Sequence, residues 1–331
     1  MRAVAIQEAV KVLGQKFLMQ EGVAGISHRS EQIVVYVESP EVAERVPPAL
    51  MGFPVKVVVS GRFYALGVGR TLAGLQGDKR WKWRPSPGGV SVGHPLVTAG
   101  TLACRVYDVA TGARLFLSNN HVIAASNRGR PGDPVLQPGR ADGGSDPADR
   151  LGLLERFVEI KSPPDVNLVD AAVARPIRDG DLSDEVLDIG VVNDYEEPLI
   201  GMRVAKSGRT TCYREATIED ASATVKVWGY PWGYSIFEDQ VITTGLGLPG
   251  DSGSLVVNVA TKKAVGLLFA GSYEGSTPIL TILNKTSHVL RLLNVSLSPT
   301  APRPAPAIPP LWTPLAFISG LILVGSSAEV S

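Results

Sequence analysis

The chain has 331 residues, 44% of them apolar and 19% charged, and its 32 basic side chains balance its 32 acidic ones. That length allows a sizeable core and two or three domains, while zero net charge excludes a global attraction to nucleic acid or anionic lipid. With only two cysteines, Cys104 and Cys212, the chain is no disulfide-dense scaffold and fits a reducing compartment, although a single Cys104–Cys212 bridge stays open.

Glu8, Lys11 and Lys16 interrupt the start of the chain, so no signal peptide is read there and a cytoplasmic protein is expected. Residues 4–18 predict an amphipathic helix, with Val10, Leu13, Phe17 and Leu18 at helical spacing. Residues 23–28 and 33–37 read as strands and 41–46 as a short helix, with Ser39 as cap and Pro40 in its first turn. Residues 55–59 read as another strand. This order makes a small α+β N-terminal module, taken as residues 1–68, in which no residue pattern carries chemistry. It would hold a substrate or partner, or cover a barrel.

Residues 69–89 read as a linker. Within it, Lys79-Arg-Trp-Lys-Trp-Arg84 interleaves cations with two indoles. Indoles stack on bases and cations meet phosphates. With no second basic cluster, however, the expectation is a segment that docks its Trp side chains while Lys and Arg stay in water, and no nucleic-acid partner. Pro85-Ser-Pro-Gly-Gly89 marks a boundary.

From residue 90 to 176 the pattern is of short strands, at 101–109, 114–117 and 167–174. The long loop 127–150 holds Asp133, Asp142, Asp146 and Asp149. Carboxylate clusters suit calcium, but the spacing matches no calcium loop, and Gly-Asp and Asp-Pro pairs are ordinary turn chemistry, so neither metal nor cofactor is expected. After an acidic connector at 177–199 come strands at 201–205, 216–227, 240–243, 254–258, 264–270 and 278–282, then a helix at 285–293. The tail from 297 to 331 is proline-rich and then wholly uncharged over residues 315–325. That run is shorter than the ~20 residues a membrane span needs, and no basic residue flanks it. Docking on the same chain or a neighbour is therefore the expectation, with a membrane tether as the alternative; a homo-oligomer is compatible with it.

The stretch that organises the rest is Leu246-Gly-Leu-Pro-Gly-Asp-Ser-Gly-Ser-Leu-Val256. A serine at a glycine-flanked bend between apolar runs exposes its hydroxyl and can aim nearby N–H groups at one point, which is what acyl transfer requires. A serine nucleophile needs a base, and the base an orienting carboxylate. His121 stands where the apolar strand Leu115-Phe-Leu-Ser118 runs into Asn119-Asn120, and Asp170 lies among aliphatic neighbours in Val166-Asn-Leu-Val-Asp-Ala-Ala-Val-Ala174. An unpaired buried Asp is costly, so its presence there implies a partner. The order His121, Asp170, Ser252 excludes the two other common triad folds, which run serine–acid–histidine and acid–histidine–serine.

Asn119-Asn-His-Val122, Asp170-Ala-Ala-Val173 and Gly250-Asp-Ser-Gly253 resemble the three signature segments of trypsin-like serine peptidases. Lys206-Ser-Gly-Arg-Thr-Thr211 and Asp142-Gly-Gly-Ser-Asp-Pro-Ala-Asp149 are similar to a bacterial and plant narrow-leaf-type branch of them. The resemblance implies a mainly β fold of two antiparallel β-barrels, about 90–176 and 200–296, with the active site between them. It implies a serine endopeptidase acting on proteins or peptides, with catalytic His121, Asp170 and Ser252 and an oxyanion hole from the N–H groups of Gly250 and Ser252. Leu246 would floor the substrate pocket and favour an uncharged side chain, and Phe269-Ala270-Gly271 would pair with substrate backbone. Asp251 in such enzymes pairs with a newly cut N-terminus. With a whole module upstream none is expected, which implies an enzyme that needs no cleavage for activation. The alternative is a protease-fold scaffold that binds peptides without turnover.

Overall fold

The computed structural model describes residues 2–66 and 78–299. The tail read as an appendage lies, beyond residue 299, outside the described residues, as does much of the proposed linker. Among the described residues no helix is long and apolar enough to cross a membrane.

The N-terminal helix, Arg2–Leu18, places Ile6, Val10 and Phe17 on one stripe and buries it with Leu18 against Ile26, Ile33 and Val35. Those residues belong to the hairpin Val23–Arg29 and Gln32–Val37. After the short strand Ala49–Leu50, Phe53–Val59 runs parallel to Gln32–Val37, so the chain must cross over; the short helix Pro40–Ala43 lies in that crossover. Ser39 sits at the N-cap of this helix but makes no side-chain capping bond.

Two β units follow. In the first, six strands pair antiparallel throughout, in the order Pro134–Leu136, Arg150–Phe157, Ala172–Pro176, Arg114–Ser118, Arg105–Asp108 and Val295–Ser296. Their inward side chains, among them Phe116, Val135, Leu151 and Ala174, form a core. In the second, Arg203–Gly208, Cys212–Tyr230, Gly233–Thr244, Thr277–Lys285, Ala264–Glu274 and Leu255–Asn258 pair in a closed ring, because Leu255–Asn258 bonds back to Arg203–Gly208. Closure leaves no free edge within the ring. The helix Thr286–Leu293 packs Val289, Leu290 and Leu293 into a cluster with Val106 and Leu117 of the first unit. The N-terminal module continues the second sheet, since Gly25 pairs with Val225.

Several sequence expectations need correction. The stretch 101–109 is two strands, Gly100–Thr101 and Arg105–Asp108. The stretch 167–174 is also broken: Val166–Asn167 and Ala172–Pro176 flank an irregular segment holding Asp170. There the Asn284 amide oxygen accepts the Asp170 backbone N–H at 2.9 Å, and the Asn119 side chain donates to the Asp170 carbonyl at 2.6 Å. Side chains thus replace the strand ladder that the aliphatic pattern suggested. The acidic connector contains the strand Leu182–Val186, which pairs in parallel with Ser86–Gly88, so the proline- and glycine-rich stretch 85–89 is sheet rather than open linker. The docking of 79–84 is reversed in part. Lys79 is the buried side chain, 2.5 Å from Asp188 and bonded to Ser207, whereas Trp81 is 68% exposed. Trp83 does pack on the core of the first unit.

Candidate active site

Ser252 sits at a bend whose geometry depends on its neighbours. Gly250 has φ +99°, and a Cβ there would lie 2.3 Å from Thr210 Oγ1; Gly253 has φ +94°, and a Cβ there would lie 2.1 Å from the Thr101 carbonyl oxygen. Only glycine fits both places. The first unit grips the bend: Thr101 donates its N–H to the Ser252 carbonyl at 2.7 Å and its hydroxyl to the Gly250 carbonyl at 2.9 Å. Ser118, three residues before His121, donates to the Thr101 carbonyl at 2.8 Å. The serine bend and the histidine segment are thus held by the same strand ends.

His121 lies on the short helix Asn120–Ile123, and neither it nor Asp170 nor Ser252 has any exposed surface. Asp170 Oδ2 is 2.5 Å from His121 Nδ1, and Oδ1 accepts the His121 backbone N–H at 3.0 Å. Two bonds from one carboxylate to one residue fix both the rotamer and the ring plane, and Nδ1 is the nitrogen committed to Asp170. The Ser252 hydroxyl donates to the Phe269 carbonyl at 3.0 Å.

A further residue at this site escaped the sequence reading. The Tyr230 hydroxyl donates to Asp170 Oδ2 at 2.9 Å. Burial, and then the Asp170 charge, push the Tyr230 phenol well above its usual pKa, which keeps it a donor. Tyr230 ends a long strand 60 positions away, where nothing marks it as polar-partnered.

The partner of Asp251 also emerges. Both its oxygens are buried: Oδ1 accepts N–H bonds from Thr210 and Thr211 at 2.9 and 3.1 Å, and Oδ2 accepts the Leu248 N–H at 3.0 Å and the Thr211 hydroxyl at 2.7 Å. Lys206 Nζ stands 3.2 Å from Oδ1 with no exposed surface. Burial pushes the Asp251 carboxyl up, but Lys206 and these donors outweigh it and hold the group below its usual range. Burial likewise draws the Lys206 ammonium down, against the pull of Asp251. Next to it, Arg209 grips Asp142 through two bonds, 2.7 Å from Nε and 2.5 Å from Nη2. The Lys206–Thr211 stretch is therefore a buttress under the loop that carries Gly250 and Ser252. A lysine in a strand reads as a surface residue, so its partner was not legible.

The acids of the 127–150 loop go to separate partners: Asp133 to His94 at 3.2 Å, Asp142 to Arg209, Asp146 to Arg150 at 2.7 Å and Asp149 to Lys82 at 3.0 Å. Among the described residues no group of three or more His, Cys, Asp or Glu is placed to hold a metal. Cys104 and Cys212 are both free thiols, and burial pushes Cys104 up to about 12.

The candidate pocket residues lie together. Leu246 is fully buried in an apolar cluster with Leu268 and Leu66, and Phe269, Ala270 and Gly271 lie along Ala264–Glu274. Residues 63–66 run beside that strand. Phe63–Ala65 pairs antiparallel with it, Ala65 opposite Ala270 and Tyr64 opposite Gly271. Leu66 then donates its N–H to the Phe269 carbonyl at 3.0 Å, and its own carbonyl accepts the Gly250 N–H at 2.6 Å.

The closed second ring, the first antiparallel sheet and the placement of His121 and Ser252 on different units define the architecture. It is a mainly β architecture of two antiparallel units preceded by a small α+β module. Among solved structures the chain is similar to a Nocardiopsis protease, at 24% identity and a TM-score of 0.48 over 64% of this chain and 98% of that one. It is similar to a glutamic acid specific serine protease that uses a histidine triad in substrate binding, at 23% identity and a TM-score of 0.47 over 64% of this chain and 99% of that one. A Cellulomonas bogoriensis chymotrypsin gives 21% identity and a TM-score of 0.45 over 65% and 98%. No family model matches the sequence. No curated protein matches it either.

Proposed function

We propose that the chain is a serine endopeptidase that hydrolyses peptide bonds in proteins or peptides through an acyl-enzyme. The observation that carries this reading is the doubly bonded, fully buried His121–Asp170 pair beside the glycine-flanked Ser252 bend. With Nδ1 held by Asp170, Nε2 is the nitrogen that exchanges a proton with the nucleophile. The Ser252 hydroxyl turns from the Phe269 carbonyl to His121, which takes its proton as Oγ attacks the substrate carbonyl and later gives it to the leaving amine. Asp170 steadies the imidazolium, and Tyr230 holds the carboxylate in place. The N–H groups of Gly250 and Ser252 receive the oxyanion, in a loop kept rigid by Lys206–Asp251. Burial of every partner removes competing water and strengthens these interactions.

Two observations favour a second reading, a peptide-binding scaffold without turnover: the Ser252 hydroxyl is engaged by the Phe269 carbonyl, and the Gly250 N–H is taken by the Leu66 carbonyl. A serine-directed fluorophosphonate separates the two. Covalent labelling that maps to Ser252 and vanishes in Ser252→Ala supports the peptidase. The probe must reach the cleft, so Leu66→Asp, which unseats residues 63–66, is labelled in parallel; no labelling of either protein would support the scaffold.

A further inference from the structure

Asp170 sits on a stretch with no strand ladder of its own. Residues 168–171 lie between the strands Val166–Asn167 and Ala172–Pro176, and the buried polar groups of that main chain need other partners. On the side of the first unit, the Val158 N–H donates to the Ala171 carbonyl at 3.0 Å, and the Asn119 side chain donates to the Asp170 carbonyl. On the side of the second ring the partners are two amides with no exposed surface, Asn284 and Gln240. Asn284 Oδ1 accepts the Asp170 N–H, and Asn284 Nδ2 donates to Gln240 Oε1 at 2.7 Å. Gln240 Nε2 in turn donates to the Leu168 carbonyl at 2.9 Å and to the Glu238 carbonyl. This run of bonds has one polarity. It begins at an N–H, which requires an oxygen from Asn284, and ends at carbonyls, which require an N–H from Gln240. A side-chain amide offers both on one planar group, whereas an ionised carboxylate only accepts and an ammonium only donates.

Asn284 lies on Thr277–Lys285, opposite Leu267 of Ala264–Glu274. That second strand also holds the serine bend: the Leu268 carbonyl accepts the Gly253 N–H at 2.8 Å, and the Leu268 N–H donates to the Ser254 carbonyl at 3.0 Å. The Asp170 main chain is thus tied to the serine bend through the two amides, and to His121 through Asn119, two residues before it. On the reading of Ser252 as nucleophile, we infer that Asn284 and Gln240 are positioning residues for the His121–Asp170 pair. Their bonds reach the Asp170 main chain and not its carboxylate. Tyr230 orients the carboxylate; the amide pair fixes where it stands between the two units. A misplacement of about 1 Å at a reacting group can cost on the order of 100-fold in rate.

The experiment measures the rate of fluorophosphonate labelling at Ser252 in the Leu66→Asp background, kcat and KM on a peptide substrate, and hydrogen exchange at the Asp170 amide. In Asn284→Leu that amide should exchange faster, labelling and kcat should fall on the order of 100-fold, and KM should stay within roughly 3-fold. Gln240→Met leaves Asn284 in place and removes its second anchor; its loss should be roughly 10-fold, and it carries the test if Asn284→Leu does not fold. The deciding comparison is made with Asp170→Asn. Adding either amide variant to it should lower the labelling rate by less than roughly 3-fold, because the carboxylate they position is gone. A further loss as large as in the Asp170 protein would show that the amides act elsewhere in the fold. That result, or unchanged rates in the amide variants, overturns the inference and leaves the peptidase reading intact. A Ser252 that never labels in Leu66→Asp removes both.

Discussion

Two carboxylates of this protein, Asp170 and Asp251, have no exposed surface, and they are held in different ways. Asp251 is bound by five donors, one of them the buried ammonium of Lys206. Asp170 is bound by a histidine, that histidine's own backbone N–H and a tyrosine hydroxyl. A buried charge needs a partner in either case. The lysine partner makes the first a structural rivet, whereas on the proposed reading the imidazole partner makes the second a seat for proton transfer. The difference predicts that mutations at the two carboxylates separate into losses of rate and losses of stability.

The largest effect should come from Asp170→Asn, with kcat lowered on the order of 10⁴-fold and the fold retained, because the imidazole takes the wrong tautomer. Asp165, five residues earlier and exposed, is the control, and Asp165→Asn should leave kcat unchanged. Steady-state kinetics on a peptide cut after leucine would reveal comparable losses in the two if the carboxylate were misassigned. Lys206→Met should instead act on stability, costing about 3–5 kcal/mol in chemical denaturation, because Asp251 is left buried and unpaired. Lys206→Met with Asp251→Leu should recover part of that loss; a double variant as unstable as the sum of the singles would show that the two groups are not a pair.

Much of this contrast was legible in the sequence, and part was not. A lone acid among Val, Leu and Ala announces a buried partner, and the order of His121, Asp170 and Ser252 leaves one common architecture. Alternating apolar runs located most strands, and the helical spacing of Val10 and Phe17 located the first helix. Tyr230, Asn284 and Asn119 were silent because their partners lie 51 to 114 positions away, and such pairings leave no local pattern. Residues 63–66 were silent for another reason. A three-residue strand is too short for a period, and what makes it meaningful is the strand it lies against.

Smaller effects sharpen the comparison. Tyr230→Phe removes one donor from Asp170 and leaves the histidine bonds, so kcat should fall roughly 10-fold with little change in KM. A loss as large as that of Asp170→Asn would mean that the tyrosine acts on the substrate itself. The weakest handle is pH. Asp251 titrates in the folded protein below its ordinary value of 3.8, so the unfolded chain binds the proton more readily. Its contribution to stability is therefore fully present above the unfolded pKa and is lost as pH falls through the lower folded value. Urea titrations between about pH 5 and 2 should show a steeper acid loss in wild type than in the Lys206→Met, Asp251→Leu variant; equal slopes would place the acid sensitivity elsewhere.

The central claim is that Ser252 is a nucleophile served by the His121–Asp170 pair, and its most direct measurement is the rate of fluorophosphonate labelling at Ser252 in a Leu66→Asp background, mapped by peptide mass spectrometry. Labelling confined to Ser252, slowed by on the order of 10³-fold or more when His121→Ala or Asp170→Asn is added, is the predicted result. An unlabelled Ser252, or labelling that proceeds at the same rate without His121, would contradict it.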